Sequence, residues 1–398
     1  SYRVTRELGS GGQGTAFEVA DVATGRPYVA KVYHAPYATP EAAARLAALI
    51  SCDLSTISPA LCAPVSRLRS RHGLGAVQPK AEGVPLEKVF ENPSYGLLDG
   101  IAVAAAIAKA VDVLEARGIA HADISATNVM VRRTDGVYSI TLIDLDNASM
   151  PGSPGPAFLG QLGYAAPELL LGAVQASLES DRFALAVLTH EILLRRHPWM
   201  LAGELSFDDY RLLLSKATWL EDPMDGRHVA PPDGWPVGIL SRRLHALFRA
   251  ALRADPSRRP TAGEWAAALE DALSAVYECS DLNCRQQQVN EPTRFACVAC
   301  GKAAEMLGLR IAGRTIRFER MHQTVGRADL GGDPTVSRQH AVFTRNGFGL
   351  RVRNLSPNGL KVVSNGKTTR LAESGESEVY EGDEITFAPG LTGRIEGS

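Results

Sequence analysis

The sequence predicts an α+β protein with a two-lobed N-terminal domain, a short cysteine-rich segment and an all-β C-terminal domain. Three observations support this prediction. Residues 1–82 read as a small lobe of short strands with one helix, and residues 83–277 as a large lobe of apolar helices in the same domain. Four cysteines cluster within residues 278–302. In residues 303–398 short strands alternate with Asn-Gly turn signals, which favours a β-sandwich.

The composition is that of an ordinary globular protein of two to three domains. Of 398 residues, 45% are apolar and 22% charged, and the net charge of −2 gives no reason to expect a nucleic-acid partner. The apolar runs at 101–113 and 183–194 are short and interrupted by charges, so they indicate core helices and no membrane partner. No secretory signal opens the sequence. With six cysteines, this favours a reducing, cytoplasmic compartment and metal binding over disulfides.

Helix signals place the elements of the first domain. Thr39, Pro40 and Glu41 supply a capping hydroxyl, a proline in the first turn and an acid, so we expect a helix to start there and run to Ile50. Residues 77–83 follow a strand and should connect the lobes. Further helices are predicted in four places, at 99–117, 181–195, 242–254 and 264–277. A strand-rich lobe beside a helical lobe leaves a cleft suited to a ligand.

The most informative segment is His121–Asn128, followed after an apolar run by Asp144. An Asp, an Asn five residues later and a second Asp supply one carboxylate to orient a hydroxyl and two oxygen ligands for Mg²⁺. Upstream lie a glycine-rich segment, Gly9–Gly14, and Lys31 in an apolar strand. Alone, the first could be a flexible turn and the second a solvent-facing lysine. In this order and spacing, the motifs resemble those of protein kinases.

The resemblance implies ATP and Mg²⁺ (or Mn²⁺) as cofactors and assigns roles to residues. Asp123 would be the catalytic base, Asn128 and Asp144 the Mg²⁺ ligands, and Lys31 the contact to the nucleotide phosphates. The remaining expected nucleotide contacts are the phosphate-covering Gly9, Gly11 and Gly14, the adenine-pocket residues Val19 and Ala30, and the main chain from Gln78 to Ala81.

Three further residues resemble structural positions of protein kinases. Glu168, in Ala-Pro-Glu, would end an activation segment that begins at Asp144, and Arg259 would pair with it. Asp181 would accept hydrogen bonds from the catalytic-loop main chain. Each also has an ordinary explanation, as a first-turn acid, a surface charge or a helix cap.

The sequence departs from the kinase pattern at several positions. Ala122 replaces the usual Arg before the base, which implies activity less dependent on phosphorylation of the activation segment. Ser125 replaces a Lys that neutralises the transferred phosphoryl group, which puts the rate in doubt. Asp146 could contact a second metal, although a solvated turn residue is the favoured interpretation. Glu41 either pairs with Lys31 or simply complements its helix dipole.

The four clustered cysteines have zinc-ligand spacing. They form two pairs with short internal spacing, Cys279 with Cys284 and Cys297 with Cys300. Four thiolates leave no open coordination position, so we expect a structural Zn²⁺. A redox pair at Cys297 and Cys300 is the alternative.

The last domain resembles forkhead-associated (FHA) domains, whose loops read phosphothreonine. The resemblance rests on Gly326-Arg327, on Ser337-Arg338-Gln339-His340 and on the segment 354–359. It implies that Arg327, Ser337 and Arg338 contact the phosphate. It also implies that Ser356 and Asn358 fix the phosphopeptide main chain, while His340 braces the loops.

Together, these resemblances predict a Ser/Thr protein kinase with a tethered phosphothreonine reader. Its partners would be protein substrates and a phosphothreonine protein, either another chain or its autophosphorylated self; the oligomeric state is left open. Two alternatives stay open. One is a pseudokinase scaffold, favoured by Ala122 and Ser125. The other is a small-molecule kinase of the aminoglycoside type, whose catalytic loop the His121–Asn128 segment also resembles.

Overall fold

The computed structural model falls into two compact units, Ser1–Trp235 with Arg243–Leu269, and Pro236–Arg242 with Glu270–Ser398. The structure describes residues 1–70, 73–92, 94–153, 155–156, 160–170, 175–199, 208, 219, 221–224, 234–253, 255–279, 281–289, 296–302, 307–320, 322–346 and 349–397. None of the helices in these ranges is both long enough and apolar enough to cross a membrane.

The first unit begins with an antiparallel five-stranded sheet in the order β1-β2-β3-β5-β4. Its strands are β1 (Tyr2–Ser10), β2 (Gly14–Asp21), β3 (Pro27–Tyr33), β4 (Ser66–Ser70) and β5 (Gly73–Pro79). Helix α1 (Pro40–Ser51) follows β3, and α2 is the short helix Leu54–Ile57. The hydroxyl of Thr39 accepts a hydrogen bond from the main-chain N–H of Ala42 at 3.2 Å, which confirms the predicted helix start.

The rest of this unit is mainly helical. Its helices are α3 (Leu86–Phe90), α4 (Leu97–Glu115), α5 (Pro167–Leu170), α6 (Leu178–Leu194), α7 (Arg242–Ala251) and α8 (Ala262–Leu273), although residue 242 and residues 270–273 belong to the second unit. Helices α4 and α6 are largely buried and pack closely. At their contact a Cβ on Gly100 would stand 3.2 Å from the Ile192 carbonyl oxygen, so a small residue suits this position. A small sheet of β6 (Val84–Pro85), β7 (Val129–Thr134) and β8 (Val137–Leu142) completes the unit.

Helix α8 ends earlier than its sequence pattern predicts. The segment 264–277 was expected to be helical throughout, but α8 ends at Leu273. The next residues form β9 (Val276–Glu278), which pairs antiparallel with β10 (Gln287–Val289) beside the cysteines. The antiparallel pairing with β10 therefore outweighs the local helical pattern.

The second unit ends in an all-β sandwich, as predicted. One sheet has the order β12-β11-β20-β19-β16-β17 and the other β13-β14-β15-β18. The strands are β11 (Leu307–Ile311), β12 (Arg314–Arg317), β13 (His322–Val325), β14 (Ala341–Asn346), β15 (Gly349–Asn354), β16 (Leu360–Ser364), β17 (Lys367–Leu371), β18 (Glu376–Val379), β19 (Glu384–Ala388) and β20 (Leu391–Gly397). Inward-facing apolar residues of both sheets form one core, in which Phe318 and Phe343 stack at 4.4 Å.

Candidate functional site

The hairpin β7–β8 brings two of the predicted site residues together. Asn128 precedes β7 and Asp144 follows β8 by two residues. Val129 pairs with Leu142, so the start of one strand lies beside the end of the other. The turn at Asp135-Gly136 has positive φ at both residues, 51° and 81°, which suits a tight hairpin. A local hairpin thus places two potential oxygen ligands at one edge.

Asp181 of α6 holds the loop that precedes this hairpin. Its carboxylate accepts hydrogen bonds from the main-chain N–H of His121 at 2.5 Å and of Ala122 at 3.0 Å, which confirms the predicted contact. Burial raises the pKa of Asp181 to about 7. Ala122 has a φ of +70°, a conformation that is costly for a residue with a Cβ and that these bonds help to hold.

His121 and Asn128 orient Asp123 within the loop. The buried imidazole of His121 donates from Nε2 to the Ile143 carbonyl at 3.0 Å, and its Nδ1 accepts from the Asp123 main chain at 3.3 Å. The amide nitrogen of Asn128 donates to the main-chain oxygen and to Oδ2 of Asp123, both at 2.9 Å. Because the nitrogen is used in this way, the amide oxygen is the atom that Asn128 can offer to a cation.

Lys31 of β3 lies between two carboxylates of the turn after β8. Its Nζ is 2.5 Å from Oδ1 of Asp144 and 3.1 Å from Oδ2 of Asp146. Burial would lower the pKa of Lys31, but Asp146 and Asp144 together raise it above its ordinary value. Burial and the neighbouring Asp146 raise the pKa of Asp144, against the effect of Lys31. A buried ammonium thus stays charged beside a carboxylate pair.

The interpretation of Asp146 as a solvated turn residue is wrong. Its side chain is only 3% exposed and is paired with Lys31. Burial alone would raise its pKa, but Lys31, Asp144 and Tyr33 hold the pKa below its ordinary value. The sequence offered no sign of this, because the lysine lies 115 residues away.

The predicted catalytic residues and most of the predicted nucleotide-binding residues meet at one cavity of about 630 Å³. Its wall includes Lys31, Asp123, Asn128 and Asp144, the glycines 9, 11 and 14, and the segment from Gln78 to Ala81. Both the size and the mixture of apolar and convergent polar groups are typical of ligand sites.

Two predicted adenine-pocket residues lie elsewhere. Val19 and Ala30 are buried with Val77 in the core of the small lobe. The cavity is lined instead by Ala16 and Val29. Strand side chains alternate between faces, so only residues an even number of positions from Lys31 share its face, and Ala16 is its cross-strand partner. The prediction was therefore wrong for both residues.

The glycine-rich loop is tied to the turn that carries Asp144. The amide nitrogen of Asn147 donates to the side-chain oxygen of Gln13 at 3.0 Å. A Cβ on Gly14 would stand 2.4 Å from the main-chain oxygen of Val32, so close strand pairing already requires this glycine. Gly9 has a φ of +156°, which also favours glycine.

Glu41 does not reach Lys31. It is exposed in the first turn of α1. Hydrogen bonds from the main chain there and from Thr39 hold its pKa below the ordinary value. The helix-dipole interpretation is therefore the one that the structure supports.

Ser125, at the position of the expected Lys, is fully buried. Its hydroxyl lies 3.0 Å from that of Thr127, which accepts a hydrogen bond from the side chain of Gln161 at 2.5 Å. Sequence reasoning did not identify Gln161, because its contact with Thr127 joins segments 34 residues apart.

The four cysteines of the second unit form one cluster. Their sulfur atoms all lie within 4.8 Å of one another. The Sγ atoms of Cys279 and Cys300 are 3.7 Å apart, as are those of Cys284 and Cys297. Each of these contacts joins one cysteine of the first sequence pair to one of the second. This is expected when two cysteine-containing turns face a common centre.

The predicted phosphate-reading residues converge on loops at one end of the sandwich. Arg327 donates from Nε to the Val336 carbonyl at 2.8 Å, and Asn358 donates to the Thr335 carbonyl at 3.0 Å. Arg338 is exposed. A Cβ on Gly326 would stand 1.9 Å from the Arg338 main-chain oxygen, which explains the glycine before Arg327.

Two of these loop residues are internal braces. His340 is buried and donates from Nε2 to the Gly359 carbonyl at 3.1 Å, which confirms its predicted bracing role. Ser356 is also fully buried, and its hydroxyl lies 2.7 Å from that of Ser337. Direct contact between Ser356 and a peptide is therefore excluded in this conformation, and that prediction is corrected: the hydroxyl positions Ser337 instead.

Comparison with known families agrees with this geometry. The family model for the protein kinase domain matches residues 2–270. The chain belongs to the protein kinase family. A second model, for the FHA domain, matches residues 317–388 of this kinase-family chain.

Bacterial relatives cover the kinase domain at low identity. The chain is 27% identical over 290 residues to the serine/threonine-protein kinase pkn2 of Myxococcus xanthus, covering 69% of this chain and 32% of pkn2. It is 26% identical over 283 residues to the serine/threonine-protein kinase PknD of Mycobacterium tuberculosis, covering 69% of this chain and 40% of PknD. The kinase-family chain thus spans less than half the length of these relatives.

Proposed function

We propose that the chain is an ATP-dependent Ser/Thr protein kinase whose C-terminal domain binds phosphothreonine. The observation that carries the proposal is the meeting of Lys31, Asp123, Asn128 and Asp144 at one cavity beneath the glycine-rich loop. Membership of the kinase family supports the same conclusion, as does its similarity to bacterial serine/threonine-protein kinases.

The side chains at this cavity can each have a separate role in phosphoryl transfer. Asp123, fixed by Asn128, can accept the proton of an acceptor hydroxyl. Lys31 can bind nucleotide phosphates at the cavity wall. The donors of Asn128 and Asp144 are hard oxygens, which fit Mg²⁺ or Mn²⁺. A bound cation of this kind would neutralise phosphate charge, and positioning plus neutralisation is most of what the reaction requires.

The serine at position 125, where the kinase pattern has a Lys, predicts slow transfer. Its hydroxyl, which contacts that of Thr127, carries no charge to neutralise the transferred phosphoryl group. Each missing charge-assisted hydrogen bond corresponds to about 1.5–3 kcal/mol. This observation also favours the second candidate, a pseudokinase scaffold that works through its reader domain. A small-molecule kinase is less well supported, because the Glu168–Arg259 ion pair resembles that of protein kinases and a fused phosphothreonine reader suits a protein that acts on other proteins.

The cysteine cluster supports a structural Zn²⁺. A tetrahedral site with Zn–S distances of about 2.3 Å requires sulfur separations of roughly 3.8 Å. The observed 3.7 Å separations fit this geometry and are far from a disulfide. All four thiolates would be ligands, which gives a closed site without a catalytic position.

The sandwich loops support recognition of phosphothreonine. Arg327, Ser337 and Arg338 supply two guanidinium groups and a hydroxyl at neighbouring loop positions, which suit a phosphate of charge near −2. Asn358 can contact the main chain of a bound peptide. The peptide could belong to a partner or to an autophosphorylated copy of this chain, and the proposed setting is the cytoplasm. The division into 1–277, 278–302 and 303–398 stays part of this proposal.

Transfer of radiolabel from γ-labelled ATP to a generic protein substrate tests the function. The wild type should incorporate label in the presence of Mg²⁺, and Asp123→Ala should not, while both bind nucleotide. Aminoglycosides and sugars serve as alternative acceptors. Nucleotide binding without transfer to any acceptor would favour the scaffold, and label on a small acceptor alone would favour the small-molecule kinase.

A further inference from the structure

The position of Lys31 requires a permanent negative partner. Its side chain is 16% exposed. An ammonium at such a depth is stable only beside a carboxylate. If Asp144 takes up a cation, as the proposed function requires, its charge is shared and a second carboxylate is needed to hold Lys31.

Helix α1 cannot supply that carboxylate. Glu41 is the only Glu between residues 32 and 81, and it lies exposed at the start of the helix. The side chain that α1 directs to the turn after β8 is a cation instead: Arg45 donates from Nε to the main-chain oxygen of Asp146 at 3.2 Å.

Asp146 occupies the required place. Its Oδ2 is 3.1 Å from Nζ of Lys31, and its side chain is 3% exposed. The hydroxyl of Tyr33, two residues after Lys31 on β3, lies near this carboxylate and helps to keep its pKa low. The carboxylate is thus paired with Lys31 of β3, and its main chain is held by one group from α1.

We propose that Asp146 is the positioning residue for Lys31, so that the metal-binding turn itself, and not a carboxylate on α1, aligns the lysine for the nucleotide phosphates. Where protein kinases use a helix Glu to pair with this Lys, the pairing here is built into the segment that carries Asp144. This inference rests on the proposed nucleotide site. Under this proposal the two carboxylates have different roles: Asp144 binds the cation, and Asp146 pairs with Lys31.

The test measures binding and turnover separately in a set of variants. The Kd for MgATP is measured with a fluorescent nucleotide, and KM and kcat by label transfer. Asp146→Asn removes the charge and keeps the shape, and we expect the Kd and KM for MgATP to rise about tenfold or more. Tyr33→Phe should cause a smaller rise. Glu41→Gln should leave Kd, KM and kcat at wild-type values.

Moving the negative charge from position 146 to position 45 gives the strictest test. In the Asp146→Asn background, Arg45→Glu places a carboxylate on α1 beside the same turn. We expect the double variant to recover part of the lost MgATP affinity, whereas Arg45→Gln in that background should not. A variant damaged only in folding would not be rescued in this way, and tryptophan fluorescence checks that each variant is folded.

Distinct results overturn the inference. An unchanged Kd for MgATP in Asp146→Asn would do so, as would an equal loss in Glu41→Gln. A defect in Asp146→Asn that saturating Mg²⁺ removes would identify Asp146 as a second metal ligand and would also overturn it. If the wild type binds MgATP but transfers no phosphate, and Asp146→Asn binds weakly, the kinase proposal fails while the inference stands.

Discussion

Arg259 and Glu168 form a two-pronged ion pair across 91 residues of sequence. Nη1 of Arg259 lies 2.6 Å from Oε1 of Glu168, and Nη2 lies 2.8 Å from Oε2. The arginine side chain is fully buried, its guanidinium lies 5.0 Å from the ring centre of Phe183, and Nη1 also donates to the Glu179 carbonyl. The pair fastens the end of the predicted activation segment to the large lobe, as the sequence motifs predicted.

Removal of this arginine should strongly destabilise the first unit. Arg259→Ala leaves Glu168 without its partner, and breaking a buried pair in this way costs about 3–5 kcal/mol. Arg258→Ala is the matched control, because that neighbouring side chain is 73% exposed and should change the free energy of unfolding by less than about 0.5 kcal/mol. Urea denaturation followed by tryptophan fluorescence measures both. Equal stability of the two variants would contradict the assigned role of the pair.

A buried histidine should make the same unit sensitive to acid. His197 donates from Nε2 to the Gly163 carbonyl at 2.7 Å, and its Nδ1 accepts from the main chain of Trp199. Burial lowers the pKa of His197 to about 4, from 6.5 in the unfolded chain. Between these values the unfolded chain binds more protons, so the free energy of unfolding should fall as pH decreases from about 6.5 to 4.

The His197→Gln variant isolates this contribution. Glutamine can keep the donor to Gly163 but has no proton to gain. We expect its unfolding free energy to depend less on pH than that of the wild type, by up to about 3 kcal/mol over this range. Urea midpoints at pH 7.5 and pH 5 measure the difference. Parallel pH profiles for the two proteins would show that His197 does not titrate on unfolding.

The sequence predicted the parts of the site that depend on order along the chain. The Asp123–Asn128 spacing and the hairpin that leads to Asp144 are local, and the structure brings these residues together with Lys31. The errors concern the strand face that a side chain occupies and the contacts between residues far apart in the sequence. The prediction places Val19 and Ala30 on the wrong face of their strands, because side chains alternate between faces and both residues lie an odd number of positions from the cavity-lining Ala16 and Val29, respectively.

The burial of two polar side chains could not be predicted from the sequence, for a different reason. Asp146 and Ser356 have polar side chains in turn-like sequences, which usually lie in solvent. Their burial follows from partners distant in sequence, Lys31 and Ser337. No periodicity within either segment signals such a partner. The prediction misses β9 although its partner β10 is near in sequence, because the residues of β9 continue the helical pattern before them.

The cysteine cluster should bind one Zn²⁺ per chain. Purified protein should contain stoichiometric zinc by elemental analysis, and a chelator or Cys297→Ser should remove it, because a closed thiolate site needs all four ligands. Cys52→Ser is the control, since Cys52 lies outside the cluster. Retention of full zinc by Cys297→Ser would contradict the proposed ligand set.

The reader domain should bind phosphothreonine through Arg327. Loss of several charge-assisted bonds, each about 1.5–3 kcal/mol, should make binding to a phosphothreonine peptide unmeasurable in Arg327→Ala. Arg327→Lys keeps the charge but lacks the planar guanidinium, whose Nε also donates to the Val336 carbonyl. This variant should therefore bind the phosphothreonine peptide weakly. Fluorescence polarisation measures both, with the unphosphorylated peptide as the control. Wild-type affinity in Arg327→Ala would place the phosphate elsewhere.

The most direct test of the central claim is the intact mass of the chain after incubation with ATP and Mg²⁺, measured with and without a protein substrate. The wild type should add phosphate to itself or to the substrate, and Asp123→Asn, which keeps the shape of the side chain, should add none. A wild-type protein that binds nucleotide but leaves every mass unchanged would contradict the assignment of kinase activity.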